Sequence, residues 1–584
     1  MIALKNALVV LVLLGFIGSG HAASLPAVES ETGMVVSAQR LAAEAGVAIL
    51  RQGGNAIDAA VAVGYAEAVV NPCCGNIGGG GFLTARLADG RNIAISFRET
   101  APAAASRNMY LDSAGHPVHD ASRYGWKAIA VPGTVLGLET ALTKYGTLPR
   151  RTVMAAAIRL AHDGFVLSKA DADILGKGER LLRQDAVAAS QFLYPDGTAY
   201  QAGDILRQPD LAATLQAIAD HGPAAFYTGH IPQAVEAASR AGGGIITAAD
   251  FASYHVTETS PLTCTYRGNV ILSTPPPSSG GASICEILNV LEGYDLRAMG
   301  FHAAGSVHVM AEAMRLAYFD RSTFLGDPAF IDNPLNRLLS KDYAARLRGQ
   351  ITGRATPSAD LGPAEAPTRE KPQTTHYSVI DKDGNAVAVT YTINGAFGAG
   401  VIAGDTGFLL NDEMDDFTLK PGVSNLYGLV QGAANAIAPG KRPLSSMAPT
   451  IVLKDGQVRM VLGSPGGSRI VTIVLETILN MIDYDMTPQE AVDAPRLHLQ
   501  WLPDILYAER LALSPDARDA LLRMGYRIEE QPNWGAVELI AMGAPPAPGT
   551  TPPGMDLVTG QRGTAKVFYG ASDPRRPAGA AIAP

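Results

Sequence analysis

The segment from residue 374 to residue 392 constrains the fold of this chain more than any other stretch. Two runs rich in β-branched residues flank Asp381-Lys382-Asp383-Gly384-Asn385, a turn sequence whose residues tolerate positive φ angles. We therefore predict two β-strands joined at this turn. Alternating or β-branched patterns predict further strands over 91–99 and near 407–411, 449–454 and 457–463.

Helical patterns occur on both sides of these strands. Residues 37–53 carry apolar residues at helical spacing, and Gly53-Gly54 ends that helix. Asn55 is a good N-cap for a second helix, rich in Ala and Val, that ends at Pro72. Strands in the middle with helices before and after them predict a layered α+β or α/β arrangement. The other predicted helices cover 151–163, 281–294, 304–323 and 468–484.

The two ends of the sequence are set apart from this core. Lys5, an apolar stretch over 7–17 and the small-residue site Gly20-His21-Ala22 have the pattern of a secretory signal peptide covering residues 1–22. The apolar stretch is short for a membrane span, so an N-terminal anchor is the weaker alternative. We expect a soluble protein exported to the periplasm or secreted, without a stable membrane anchor. Pro- and Gly-rich segments predict an exposed loop over 543–554 and a frayed tail over 573–584.

Composition excludes several function classes. The net charge of −9 and the lack of a basic run argue against nucleic acid as a partner. The four cysteines show no CxxC or Cys/His ligand spacing, which argues against a zinc site. Adjacent Cys73 and Cys74 are poorly placed to bridge each other, and both buried free thiols and one disulfide remain open for the set that also includes Cys264 and Cys285. No Walker loop, HExxH or GxSxG sequence occurs.

Thr374 stands where the polar, Pro-rich segment 351–373 gives way to the first predicted strand. A threonine at such a junction is ordinarily a strand opener or a cap. Its hydroxyl is a weak nucleophile unless a base lies beside it, and the α-amino group of the same residue can be that base. The amine has a reference pKa of about 7.7 but exists only after the preceding peptide bond is cut. Cleavage between Gln373 and Thr374 would therefore create nucleophile and base together.

The sequence over 374–379, together with 388–394, resembles the γ-glutamyltransferases, also called γ-glutamyltranspeptidases or glutathione hydrolases. These are N-terminal-nucleophile hydrolases. Similar segments follow in the family's order along nearly the whole mature chain, at 76–82, 97–99, 131–134, 275–281, 411–417, 442–447 and 463–469.

The resemblance implies an α+β fold, a four-layer αββα sandwich. It also implies a precursor that cuts itself into a large chain, 23–373, and a small chain, 374–584, which stay together as one fold and one heterodimer. No metal ion or organic cofactor is expected.

The family's substrates carry a free α-carboxylate and a free α-ammonium beside the scissile amide. Arg98 suits the carboxylate because a guanidinium fork matches it with two parallel hydrogen bonds. Carboxylate side chains suit the ammonium. The resemblance assigns to this pocket the donors Ser445 and Ser446 and the acceptors Asn394, Glu413 and Asp416.

The resemblance assigns the remaining residues to the reaction itself. Thr392 is expected to hydrogen-bond the nucleophile. Gly466 and Gly467 precede the predicted helix 468–484, where backbone N–H groups lack intrahelical partners and can stabilise an oxyanion. The segment 421–437, with Tyr427, resembles a lid loop over the glutamyl site.

The resulting prediction is a self-processing enzyme that transfers the γ-glutamyl group of glutathione or related compounds to water, amino acids or dipeptides. One alternative is an acylase of the same fold acting on glutaryl side chains, although a glutaryl group has no ammonium for Asp416 to bind. Another is an exported binding protein with an uncleaved, degenerate site, against which the intact Thr374 and Gly466-Gly467 argue.

Overall fold

The computed structural model describes residues 24–118, 120–362, 374–543 and 566–584. The predicted signal peptide, Gln373 and most of the predicted loop 543–554 lie outside these residues. The described strands are β1 (Val28–Ser30), β2 (Gly33–Ser37), β3 (Gly80–Arg86), β4 (Asn92–Ser96), β5 (Phe165–Val166), β6 (Ile205–Leu206), β7 (Thr257–Thr259), β8 (Leu262–Tyr266), β9 (Asn269–Ser273), β10 (Thr375–Asp381), β11 (Ala386–Thr392), β12 (Thr450–Lys454), β13 (Gln457–Leu462), β14 (Leu497–His498), β15 (Leu506–Glu509), β16 (Ile528–Gln531), β17 (Glu538–Gly543), β18 (Val567–Ser572) and β19 (Ala580–Ile582).

The α-helices complete the described elements. They are α1 (Arg40–Arg51), α2 (Ala56–Val70), α3 (Thr134–Tyr145), α4 (Arg150–Asp163), α5 (Lys169–Leu182), α6 (Ala186–Phe192), α7 (Pro209–His221), α8 (Ala224–Tyr227), α9 (His230–Ala241), α10 (Ala248–Ser253), α11 (Gly280–Leu291), α12 (Leu296–Met299), α13 (Ala304–Phe324), α14 (Leu335–Leu338), α15 (Lys341–Arg348), α16 (Ile470–Ile482), α17 (Pro488–Asp493) and α18 (Pro515–Met524).

Two seven-stranded antiparallel sheets form the centre of the molecule. One has the order β1-β18-β17-β13-β12-β9-β8 and the other the order β19-β2-β10-β11-β3-β4-β7. An apolar core lies between the sheets, a second packs α1 to α4 against the sheet that contains β10, and a third packs α11, α13 and α16 against the other sheet. The layers therefore run helix, sheet, sheet, helix, and the predicted αββα sandwich is confirmed.

The predicted hairpin occupies the middle of its sheet. β10 pairs with β2 and β11 pairs with β3, so strands from after residue 374 lie between strands from before it. Every residue of β10 is buried because the sheet is covered on both faces. Tyr377 and Val379 face the helical core and Ile380 faces the core between the sheets, as the two-residue period of a strand requires.

Several local predictions are confirmed. Asn55 caps α2 through its side chain, which accepts from the backbone N–H groups of Ile57 and Asp58, and Asp58 returns the contact as a capping box. All residues of α2 are buried, so its Ala-rich composition lets it pack closely in the layer. The predicted helices beginning near 151, 281, 304 and 468 and the strands near 449 and 457 are also present.

Three predictions about local structure are wrong. Residues 407–411 contain one isolated bridge, Ile402 to Leu409, because Gly404 and Gly407 adopt positive φ and turn the chain. The first helix begins at Arg40, since residues 33–37 form β2 in the middle of the sheet. The segment 573–584 is not frayed: Ala580–Ile582 forms β19 and extends the sheet beside β2.

The cysteine pairing also differs from the prediction. Cys73 and Cys74 form a disulfide with each other, and Cys264 pairs with Cys285. The first pair lies in a buried turn after α2, where the N–H of Cys74 donates to the carbonyl of Asn71 and both cysteines are buried. The expectation that adjacent cysteines are poorly placed to bridge is therefore wrong for this turn.

Candidate active site around Thr374

Thr374 lies immediately before β10 at the edge of a buried cavity, and its side chain is 3% exposed. The β10–β11 register pairs Thr375 with Tyr391, which brings Thr374 opposite Thr392. The Thr374 hydroxyl donates to the Thr392 hydroxyl across 3.4 Å, and Thr392 Oγ1 accepts from the N–H of Asn394 at 2.8 Å. The turn at 381–385 fixes this register, so a local sequence feature sets the geometry of the two threonines.

One cavity is lined by nearly all the predicted site residues. Gly466 does not line the cavity, although it precedes Gly467, which does. Gln373 lies outside the described residues. The lining is formed by Arg98, Arg321, Thr374, Thr392, Asn394, Glu413, Asp416, Tyr427, Leu429, Ser445, Ser446, Met447, Gly467 and Ile470.

A fully buried arginine stands at the centre of the polar side of the cavity. Arg98 donates one Nη to Glu413 and the other to Asp416 Oδ2 at 2.5 Å, and its Nε donates to the carbonyl of Pro443 at 3.1 Å. The residues predicted to bind the two opposite charges of a substrate are thus paired with each other. Such pairing offsets the cost of burying these charges.

The neighbouring acid Glu99 joins this cluster through Oε2, 3.4 Å from Arg98 Nη1. Burial raises the pKa of Glu99 to about 7 and raises the pKa of Glu413 well above its usual value, while the Arg98 charge opposes both shifts. Burial would lower the pKa of Arg98, but the carboxylates of Glu413, Asp416 and Glu99 raise it. The guanidinium therefore stays charged, and Glu99 and Glu413 hold protons more tightly than exposed acids do.

Ser445 and Ser446 lie beside the charged cluster. Ser446 Oγ accepts from Arg321 Nη2 at 3.3 Å, and Ser445 Oγ accepts from the N–H of Met447 at 3.1 Å. The N–H of Ser445 donates to the carbonyl of Pro277 at 2.9 Å, which fixes the serine segment against the start of α11. Both serines line the same cavity as Arg98.

Arg321 is a cavity residue that the sequence prediction missed. It lies on α13 and donates to Ser279 Oγ at 2.8 Å and to Gln431 Oε1 at 3.2 Å. Burial lowers the pKa of Arg321 to about 10, so it remains a cation at neutral pH. Its position inside a helical pattern could not reveal it, because a helix also carries arginines on its exposed face.

The predicted oxyanion glycines form the turn into α16. Gly466 has φ 148° and Gly467 has φ 58°, backbone conformations that favour glycine, and Gly467 begins a short 3₁₀ turn before Ile470. A Cβ on Gly467 would lie 2.4 Å from Cδ1 of Tyr427, so the aromatic ring rests directly on this glycine. The N–H of Arg469 donates to the carbonyl of Gly466 at 3.1 Å and closes this turn.

Tyr427 belongs to the predicted lid segment 421–437 and covers the cavity. Its hydroxyl donates to Asn394 Oδ1 at 2.6 Å, and Asn394 Nδ2 donates to the carbonyl of Asp412 at 3.0 Å. The N–H of Leu426 donates to Asp415 Oδ2 at 2.7 Å. Asp415, which was not predicted, therefore ties the lid to the acidic turn that carries Glu413 and Asp416.

Among the residues that the structure describes, no cluster of side chains has the composition of a metal site. Within the same residues, no helix combines the length and the apolar character needed to cross a bilayer.

The fold and the geometry of the site together indicate the class of protein to which the chain belongs. A threonine at the start of a central strand in an αββα sandwich, next to a glycine turn at a helix N-terminus, is the arrangement expected of an N-terminal-nucleophile hydrolase. Over 97% of this chain the fold matches 98% of the chain of a cephalosporin acylase from Bacillus halodurans, with a TM-score of 0.81 and 26% identity.

The chain belongs to the γ-glutamyltranspeptidase family, whose model matches residues 42–583. It is 52% identical to the glutathione hydrolase proenzyme of Pseudomonas sp. (strain A14), across 96% of both chains. A solved chain of Helicobacter pylori γ-glutamyltranspeptidase is 42% identical, with a TM-score of 0.55, and covers 59% of this chain with 97% of its own length.

Proposed function

We propose that this protein is a self-processing glutathione hydrolase and γ-glutamyltransferase. It recognises a γ-glutamyl group by both of its charges, the α-carboxylate and the α-ammonium. The observation that carries the proposal is one cavity that holds the Thr374–Thr392 hydroxyl pair beside the buried Arg98–Glu413–Asp416 cluster. A glutamyl group offers an α-carboxylate and an α-ammonium side by side. Both charges find partners of opposite sign in this cluster.

Substrate binding is an exchange of ion pairs. The incoming ammonium takes contacts from Asp416 and Glu413, and the incoming carboxylate takes contacts from Arg98, with Ser445 and Ser446 as further donors. Because the ligand brings one charge of each sign, the exchange leaves the net charge of the buried cluster unchanged. A ligand with only one of the two charges would leave a buried partner unpaired, which is costly.

The reaction is acyl transfer through Thr374. Its hydroxyl oxygen attacks the γ-amide carbon, and its own α-amine, free after processing, accepts the hydroxyl proton. N–H groups of Gly466 and Gly467 stabilise the oxyanion. The amine leaving group departs with a proton, and water or an acceptor amino acid or dipeptide then releases the glutamyl group from Thr374. The Thr392 hydroxyl positions the nucleophile.

Processing precedes this chemistry. Cleavage between Gln373 and Thr374 would produce chains 23–373 and 374–584, which stay together through the interleaved strands β2, β10, β11 and β3. The Helicobacter pylori chain supports this division, because 97% of it matches 59% of this chain, a share close to the length of residues 23–373. We further propose export to the periplasm or secretion. The two disulfides support that location, since disulfides persist in oxidising compartments.

An acylase acting on a glutaryl side chain is the second candidate, favoured by the fold match to the cephalosporin acylase. The buried carboxylates of Asp416 and Glu413 distinguish the two functions, because a glutaryl group lacks the ammonium that would pair with them. A γ-glutamyl substrate therefore accounts for these buried carboxylates, whereas a glutaryl substrate would leave them without a cationic partner.

The proposal is tested on the purified protein by N-terminal sequencing and by hydrolysis of γ-glutamyl-p-nitroanilide and glutaryl-p-nitroanilide. We expect two fragments, the smaller beginning Thr-Thr-His-Tyr, and hydrolysis of the γ-glutamyl compound alone. A single intact chain with normal glutamyl transfer would contradict the mechanism. Preference for the glutaryl anilide would replace the proposed function by that of an acylase.

A further inference from the structure

The lid residue Tyr427 is held at both ends. Its hydroxyl contacts Asn394, as described above, and its backbone carbonyl accepts from Gln500 Nε2 at 3.1 Å. Gln500 follows β14, is 2% exposed and does not line the cavity. The lid is therefore tied to a part of the chain that is separate from the charged cluster.

The orientation of the Gln500 amide follows from its neighbours. Nε2 also donates to the carbonyl of Leu502 at 3.2 Å, and two carbonyls can only accept, so the amide nitrogen must face them. Oε1 then faces His498 Nε2 at 2.9 Å. Burial lowers the pKa of His498 to about 3, so its imidazole is neutral and carries one N–H. Because Oε1 only accepts, that proton is on Nε2.

The other nitrogen of His498 extends the connection to the oxyanion turn. Nδ1 therefore lacks a proton and lies 2.9 Å from Thr472 Oγ1, whose hydroxyl also lies 3.1 Å from the carbonyl of Arg469. Thr472 lies in the first turn of α16, directly after the Gly467–Arg469 turn. Tyr318 adds a second connection, since its ring meets His498 edge-on with centroids 5.7 Å apart and its hydroxyl donates to the carbonyl of Ser468.

We propose that Gln500, oriented by His498, is a positioning residue. Its hydrogen bond to the Tyr427 carbonyl, which we call the latch, holds the lid closed over the glutamyl group and keeps the Tyr427 ring against Gly467. His498 Nε2 donates to Gln500 Oε1, and Gln500 Nε2 donates to the Tyr427 carbonyl, while Thr472 contacts the other nitrogen of His498. The ring of Tyr427 in turn rests on Gly467. This inference rests on the proposed function, because it assigns a residue to the lid of that same site.

The latch acts on binding more than on the chemical step. A closed lid retains the donor and excludes water, whereas the attacking hydroxyl and the oxyanion N–H groups belong to other residues. Weakening the latch should therefore release bound donor more readily and raise KM, with a small effect on kcat. It should also expose the lid segment to proteases.

Gln500→Glu tests the latch, because glutamate keeps the shape of the side chain but places an acceptor oxygen opposite the Tyr427 carbonyl. We expect KM for γ-glutamyl-p-nitroanilide to rise about tenfold with kcat within about twofold, the loss of roughly one buried hydrogen bond. Chymotrypsin should cleave after Tyr427 faster than in the wild type. Gln489→Glu is the matched control, since Gln489 donates to the carbonyl of Ser572 at 3.3 Å, away from the lid, and should leave KM and cleavage unchanged.

A double-mutant cycle separates a latch from a general loss of packing. Tyr427→Phe removes the hydroxyl contact to Asn394, so Gln500→Glu should raise KM by a smaller factor in that background, because both contacts hold the same residue. If Gln500→Glu does not accumulate as a folded, processed protein, Gln500→Met is measured in its place with the same expectation.

Unchanged KM and unchanged proteolysis in the folded Gln500 variant would overturn the latch, and so would equal factors in the two backgrounds. These outcomes leave the proposed function intact as long as the wild type hydrolyses γ-glutamyl-p-nitroanilide. A wild type that is folded and processed but inactive on that compound overturns the proposed function instead.

Discussion

The two sides of the cavity present different kinds of groups to its interior. On the charged side, Arg98 is paired with Glu413 and Asp416, and the three side chains are at least nine-tenths buried. On the reaction side, Thr374 contacts Thr392 through hydroxyl groups, and Gly467 lines the cavity beside them. The first side therefore consists of buried charges, and the second side consists of neutral groups.

Because the two sides differ in this way, substitutions on each side should change different kinetic constants. Buried charges are worth much to a ligand that matches them, so damage on the charged side should weaken binding and appear in KM. Neutral groups aimed at the transition state act on the chemical step, so damage on the reaction side should appear in kcat. The following substitutions test this separation.

Thr374→Ala should have the largest effect. Without the hydroxyl, we expect neither self-cleavage nor glutamyl transfer, so the protein should remain one chain with activity at least about 10⁴-fold lower. Gel electrophoresis and the anilide assay measure both results. Thr374→Ser keeps a hydroxyl and should still be processed, although more slowly. A processed and active Thr374→Ala protein would show that the reaction side has another nucleophile.

Gly467→Ala should lower kcat by about 100-fold, comparable to losing one oxyanion donor. The added Cβ would meet the Tyr427 ring at 2.4 Å, so the turn or the lid must shift. Gly456→Ala is the matched control, because Gly456 also has positive φ but a Cβ there meets nothing within 4 Å. Steady-state kinetics of both variants separate the site effect from backbone strain. If Gly467→Ala changed KM and left kcat unaltered, the proposed assignment of kcat effects to the reaction side would be wrong.

Asp416→Asn should act on the other side and raise KM for γ-glutamyl-p-nitroanilide by about 10- to 100-fold, with a smaller change in kcat. The cause is the loss of a charged partner for the substrate ammonium and for Arg98. Asp405→Asn removes a surface carboxylate that pairs with His230 at 2.7 Å and serves as the control. A KM unchanged by Asp416→Asn would favour the acylase reading.

The reaction side was largely predictable from sequence because local features determine it. The turn residues 381–385 set the register that brings Thr374 opposite Thr392, and Gly466-Gly467 stands directly before the helical pattern of α16. Asn55 likewise identified the start of α2. In each case the information lies within a few residues of the element that it determines.

The charged side could be predicted only in part. The family resemblance identified Arg98, Glu413 and Asp416 as site residues. Their pairing could not be predicted, because it depends on contacts between residues more than 300 positions apart. Arg321 and β19 were missed for the same reason. A buried arginine on α13 has no sequence pattern of its own, and three residues near a Pro-rich end become a strand only because β2 offers an unpaired edge.

Replacing His376, two residues after Thr374, should have the smallest effect, and that effect is on the pH dependence of stability. His376 lies in β10, fully buried, with Nδ1 2.8 Å from Thr390 Oγ1 and Nε2 3.1 Å from Ser378 Oγ. Burial lowers its pKa to about 3, below the unfolded value of about 6.5. Between these values the unfolded chain binds a proton that the folded chain does not. Stability should therefore fall as the pH falls below about 6.5.

At pH 5 this one group should reduce the free energy of unfolding by about 2 kcal/mol relative to pH 7. His376→Gln should flatten that part of the pH dependence, measured by urea unfolding at several pH values, whatever its effect on stability at pH 7. His116→Gln is the control, because the His116 side chain is 72% exposed. Equal pH dependence in the wild type and His376→Gln would mean that the buried imidazole does not couple folding to protons.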